Sequence, residues 1–288
     1  MKNYLIIIIS LLSINYYGQT ADINSLKQQL KKEKPDTNKV NDFILLSKLQ
    51  HHIGDYEASL QNANNAKSLA EKLGFKTGVA NALTCIGTVY FYQGKYPESI
   101  KSQLDALKIN EEIGNKKGIA ASYIVIGNVQ RMQHNYGEAI KNNSDALKIL
   151  EELGNKQGIA ACYGNIGELY ERQGNYTEAL KNQLAALKIN EEIGYQKGVA
   201  ACYGNIGNIY GYQGNADEAL KNYFAGLKIS EQLGDKYSMV GTYANIGKMY
   251  KGLKNEKEAK KYFKSGLSLA KEIGANDLEQ RIEKMMKE

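Results

Sequence analysis

The chain has 288 residues but no tryptophan, only two prolines, three histidines and three cysteines. Each scarcity narrows the choices. With so few prolines, little interrupts a helix, and lysine, glutamate, alanine and leucine are abundant. No Asn-Gly or Asp-Gly pair and no long alternating apolar run is present, so strand and hairpin signals are missing. There is no G-x-x-x-x-G-K-[ST] loop, no G-x-S-x-G, no H-E-x-x-H and no Cys-x-x-Cys, which removes the usual marks of an enzyme. His51 and His52 are neighbours, about 100° apart on a helix, and cannot serve as an i, i+4 metal pair. His134 falls in a turn position held by glycine elsewhere, and no metal or other cofactor is expected.

Charge of one sign is also lacking. The net charge is +6, from 37 basic and 31 acidic side chains. Residues 41–247 carry 20 and 21, so the excess sits at the two ends. A basic stripe along a working face is absent, and nucleic acid is not an expected partner. The recurring pairs Glu151/Glu152 and Glu191/Glu192 read as solvated helix ends.

One long apolar run exists, from Tyr4 to Ile14, behind a single Lys2 and ahead of a polar exit. It is shorter than the roughly 20 residues of a membrane span and suits the core of an export signal over residues 1–19. The expected location is therefore outside the cytoplasm, periplasmic or secreted, with no membrane attachment after cleavage; an uncleaved anchor is the main alternative. No cysteine follows the run, so a lipid anchor is not indicated.

What the chain does have is a period. Glycines recur at Gly74, Gly114, Gly154, Gly194, Gly234 and Gly274, each forty residues from the last. A second series runs Gly87, Gly127, Gly167, Gly207 and Gly247. The seven residues from Ala161 to Gly167 return unchanged from Ala201 to Gly207. Such a period marks an array of supersecondary units rather than a set of domains. Six units fit: 36–75, 76–115, 116–155, 156–195, 196–235 and 236–275. The fourth and fifth agree at 24 of 40 positions, as expected of a duplication.

Each unit reads as two helices. In the fourth, Ile159, Tyr163, Ile166 and Tyr170 follow helical spacing, then Gly174 breaks the pattern. Asn175 with Glu178 forms a capping-box-like pair before a second stripe of Ala179, Leu180, Leu184, Leu187 and Ile189. Gly167 and Ala179, twelve residues apart, are expected to meet where the two helices cross. Cys162 and Cys202, in equivalent places, and Cys85 on an earlier copy are expected to be free, buried thiols.

The spacing of Tyr163, Ile166, Gly167, Tyr170, Ala179 and Ala186 resembles the tetratricopeptide signature. The resemblance spans residues 36–275. It implies an all-α, right-handed superhelix, an α-solenoid of about six helix-turn-helix repeats. Residues 20–35 and 276–288 read as cap helices at its ends.

The resemblance also implies a function. In that family the first helix of each pair lines a concave groove that takes a protein or peptide. By register the groove positions hold Asn81, Thr84, Thr88, Phe91 and Tyr92, then Asn128, Arg131 and Met132, then Glu168, Glu171 and Arg172. They continue with Asn208 and Tyr212, and then Lys248 and Lys251. Asn165, Asn205 and Asn245 stand where many members bond a ligand backbone. The clamp for a terminal carboxylate is absent, because Ala121, Ala161, Ala201, Gly164 and Gly204 stand at its places. The expectation is a non-enzymatic scaffold or adaptor. The alternative is the input module of a bacterial signalling system without its own output domain.

Overall fold

A computed structural model describes residues 22–287, and residues 1–19, read above as an export signal, lie outside them. All regular structure among the described residues is helical. Helix α1 covers 22–32. It is followed by α2 (Thr37–His52), α3 (Tyr56–Lys72), α4 (Lys76–Tyr92), α5 (Tyr96–Glu112), α6 (Lys116–Met132) and α7 (Tyr136–Glu152). Then come α8 (Lys156–Arg172), α9 (Tyr176–Glu192), α10 (Gln196–Tyr212), α11 (Ala216–Leu233), α12 (Lys236–Gly252), α13 (Glu256–Ile273) and α14 (Asn276–Lys287). The chain divides at Ile149/Leu150 into two compact units, each a run of antiparallel helix pairs.

The short links follow from backbone chemistry. Gly174 takes φ +75°, which lets the Gly174 and Asn175 amides donate back to the Glu171 and Tyr170 carbonyls at 2.9 Å each. Asn175 then starts the next helix, its side chain accepting from the Glu178 amide at 3.3 Å. One residue thus closes α8 and opens α9. The reciprocal half of the expected capping box is not made, because the Asn175 amide is already spent on Tyr170. The Glu178 carboxylate pairs with Lys181 instead, at 3.3 Å. His134 and Lys254 sit at φ +62° and +58° in places where siblings have glycine, so both non-glycine residues carry left-handed strain.

The glycines inside helices set the packing. A Cβ on Gly167 would lie 2.8 Å from Gln183 Nε2. On Gly207 it would meet the Tyr223 ring at 2.6 Å, on Gly247 the Phe263 ring at 2.7 Å, and on Gly127 the Asn143 amide at 2.5 Å. The side chain that fills each notch is therefore sixteen residues on, not the alanine at twelve. The twelve-residue partner marks where backbones approach: Ser99 Oγ donates to the Gly87 carbonyl at 2.7 Å, and Ser59 Oγ to the Ser47 carbonyl at 2.7 Å. By register the first copy pairs Ser47 with Ala63, so extra bulk on one helix is matched by less on the other. A further glycine near the start of the next first helix receives the end of the preceding second helix. Gly198 faces the Asn190 amide, 2.6 Å from where its Cβ would stand.

Helices α1 and α14 seal apolar faces. Ile23, Leu26 and Leu30 pack with Leu46 of α2, while Ile282 packs with Val240, Ala244 and Phe263. The three cysteines are free and buried, and burial pushes all three thiols up, Cys162 to about 11. No described helix is long and apolar enough to cross a membrane.

The notch predicts a coupled pair. Gly167→Val should destabilise the protein by about 2 kcal/mol through overpacking. Adding Gln183→Ala should recover a large part of that, whereas adding Ala179→Gly should not. Urea denaturation of the single and double variants measures both, and coupling to position 179 alone would contradict the sixteen-residue pairing.

Candidate functional site

The first helices carry the expected binding positions, and the structure brings some of them into two local pockets. In the unit from Leu150, Asn208, Tyr212, Asn245, Lys248, Arg281 and Met285 surround a pocket of about 150 Å³. α10 supplies the first two, α12 the next two and α14 the last two. Tyr223 Oη donates to Asn208 Oδ1 at 2.8 Å, and Asn245 Nδ2 donates to the same oxygen at 3.1 Å. The Asn245 amide thus ties α12 to α10 through one N–H, while the residue also lines the pocket. Lys251 is likewise engaged, donating to the Met285 and Met286 carbonyls near the end of α14 at 3.2 and 3.1 Å. Tyr212 is 58% exposed and stacks on Tyr176, with ring centroids 6.0 Å apart.

Along α8, Arg172 binds one carboxylate oxygen of Glu168 through Nη2 at 2.8 Å and Nε at 3.0 Å. Beside them Glu171 is half-buried. Burial, then the Glu168 charge, push its carboxyl up to about 7, against the smaller pull of Arg172. The Tyr223 phenol is also driven well up, first by burial, then by Tyr212 and Glu171. Asn165 and Asn205 are half-buried on α8 and α10 and do not line the pocket.

In the unit ending at Ile149, a cavity of about 240 Å³ opens between α2 and α4. Its walls include His51, Thr84, Cys85, Thr88, Val89 and Tyr92. Tyr92 is 56% exposed. Its ring stands edge-on to His51 at 4.6 Å and stacked on Tyr56 at 6.1 Å. Phe91 turns to Tyr92 and Tyr96 outside the cavity, at 5.1 and 6.3 Å. Asn81, Asn128 and Arg131 are half-buried and do not line it.

Sequence reasoning passed over His51, weighing it only as a metal ligand. The signal was present in the register: the forty-residue column holds His51, Phe91, Arg131, Glu171, Gly211 and Lys251. That column changes in charge, size and polarity from copy to copy, beside a notch column of glycine or serine. His51 is pushed down first by burial and then by His52, so it is neutral near pH 7. Its Nε2 is buried with no hydrogen-bond partner among the described residues. No three His, Cys, Asp or Glu side chains converge as a metal site would need, among the described residues.

Helix pairs with a recurring small-residue notch and a variable first-helix face define a helical repeat protein of the interaction-scaffold class. Family models described as "Tetratricopeptide repeat" match residues 78–152, 158–232 and 240–273, and the chain belongs to the tetratricopeptide repeat family. That family is in general a non-catalytic, protein-binding one. No curated protein sequence matches this one.

Solved structures share the fold at low identity. The apo form of RapI is 14% identical at TM-score 0.71, covering 96% of this chain and 100% of its own. A Rap protein complexed with competence and sporulation factor is 16% identical at 0.68, covering 93% and 80%. A signal-transduction ATPase with a tetratricopeptide repeat sensor, from Pyrococcus horikoshii, is 17% identical at 0.72. That match covers 95% of this chain but 43% of the ATPase.

The raised Glu171 carboxyl fixes the sign of a pH effect. The folded state holds its proton up to about pH 7, whereas the unfolded chain releases it near the ordinary carboxylate value. Stability from this group is therefore full at low pH and lost as pH rises toward and through 7. Glu171→Gln should gain about 1 kcal/mol over wild type at pH 8 and little at pH 5, the figure being discounted for partial solvation. Thermal melts at both values check it, and an equal shift at both would contradict the protonation account.

Proposed function

We propose that the protein is a non-enzymatic scaffold that binds a protein or peptide along its first-helix faces. The observation that carries this is the division of labour in the repeat. The notch and its twelve-residue partner stay small, while the outward first-helix columns change from copy to copy and present exposed tyrosines and half-buried amides. Rings supply area at little entropic cost, and amides satisfy an extended backbone. The candidate contacts are Tyr212, Asn208 and Asn205 in one unit and Tyr92 in the other.

We further infer that the protein acts outside the cytoplasm, on the strength of the apolar run from Tyr4 to Ile14. A second reading, the sensory input module of a bacterial signalling system, is favoured by the likeness to the repeat sensor of the signal-transduction ATPase. That likeness is one of fold.

Panning a displayed peptide library on the full chain tests the binding reading. Recovered peptides should bind at least about tenfold more weakly to Tyr212→Ala or Asn205→Ala, the loss expected of a buried aromatic or backbone-bonding contact. They should be unaffected by Leu184→Ala, which alters an exposed residue of the second helix α9. The reverse pattern would move binding to the second-helix surface. For export, the full chain expressed in a bacterial host should leave the cytoplasm and lose its first residues, and deletion of residues 2–19 should retain it there. Cytoplasmic retention of the intact chain would overturn that inference.

A further inference from the structure

The α2–α4 cavity has a chemistry of its own. At about 240 Å³ it exceeds the roughly 150 Å³ that holds a benzene ring. Its hydroxyls are turned away: Thr84 and Thr88 donate to the Ala80 and Thr84 carbonyls at 3.0 and 2.8 Å, and Ser59 to Ser47 at 2.7 Å. What is left to face an occupant is methyl groups, Val89 and the neutral Cys85 thiol. Lys48 and His52 complete the wall, which holds no carboxylate. A cationic side chain is therefore unwelcome, and a carboxylate would lose its hydration against apolar walls. A neutral ring suits the site, with an aromatic partner in His51 and the exposed Lys48 on the wall.

One polar atom stands out. His51 Nε2 is buried and unpartnered among the described residues, on an imidazole that is neutral near pH 7. We propose that this cavity receives a tyrosine-type phenol from an extended peptide, its hydroxyl pairing with His51. The inference rests on the peptide-binding reading above and names the side chain that the unit ending at Ile149 selects. Since Nε2 is buried, the phenol reaches it by displacing the exposed Tyr92 ring from the imidazole.

The test uses p-cresol and toluene, which differ by the hydroxyl alone, titrated into the full chain and followed by the histidine ring signals in nuclear magnetic resonance. p-Cresol should bind about fivefold tighter than toluene, the ratio that one hydrogen bond gives. His51→Leu should bring the two to parity while keeping toluene affinity, and Thr88→Phe should abolish both by filling the space. A blocked pentapeptide with tyrosine at its centre and alanine elsewhere should bind more tightly than p-cresol. Parity in the wild type, no binding of either probe, an unchanged ratio in His51→Leu or a pentapeptide no better than p-cresol each overturns the proposal. The comparison in the wild type needs no variant to fold. Peptides captured from the library and lost in Tyr212→Ala would leave the broader reading standing after such a failure.

Discussion

The whole repeat depends on how closely two helices can approach. A glycine in the first helix removes the Cβ that would otherwise strike the second, and the gap is filled by a large side chain from sixteen residues further on. Gln183, Tyr223 and Phe263 fill it in three successive copies. A second notch, such as Gly198 against Asn190, sets the next pair against the last. Protein interiors are close-packed, so each notch needs its own filler and each filler its own notch. Spacing within and between pairs follows from these two contacts, and so does the direction in which the outward first-helix residues point.

Because packing uses up those columns, the others are released. The column holding His51, Phe91, Arg131, Glu171, Gly211 and Lys251 has an imidazole, a ring, both charges and a bare backbone. The next column holds two exposed tyrosines, Tyr92 and Tyr212, each stacked on a tyrosine thirty-six residues earlier in sequence. Chemistry thus varies along the array without disturbing its geometry, which is the property a binding surface built from repeats requires. The same freedom places a half-buried carboxyl at Glu171 and a half-buried imidazole at His51, where partial desolvation favours the neutral form of each.

Some of the outward polar residues serve the protein itself. Asn245 and Tyr223 both donate to one oxygen of Asn208, and Lys251 caps carbonyls of α14. These contacts hold α10, α12 and α14 in place around the small pocket they line. An amide at a binding position can therefore also join helices, as Asn245 does through one N–H to Asn208.

The division between what sequence determined and what it could not follows from the range of each interaction. A forty-residue period, the glycine that takes positive φ at Gly174 and the cap at Asn175 are local or strictly repeated, so helix pairs and their links were legible in the chain. The small residue twelve positions on was legible for the same reason, since it recurs in every copy. The filler at sixteen was not, because glutamine, asparagine, tyrosine and phenylalanine alternate there and identity leaves no period. Nor were the His51–Tyr92 contact and the Asn208–Asn245 bond, each of which joins residues about forty apart through space. Tertiary structure alone decided which variable side chains meet, because only folding brings unlike residues from different copies within hydrogen-bonding or van der Waals reach.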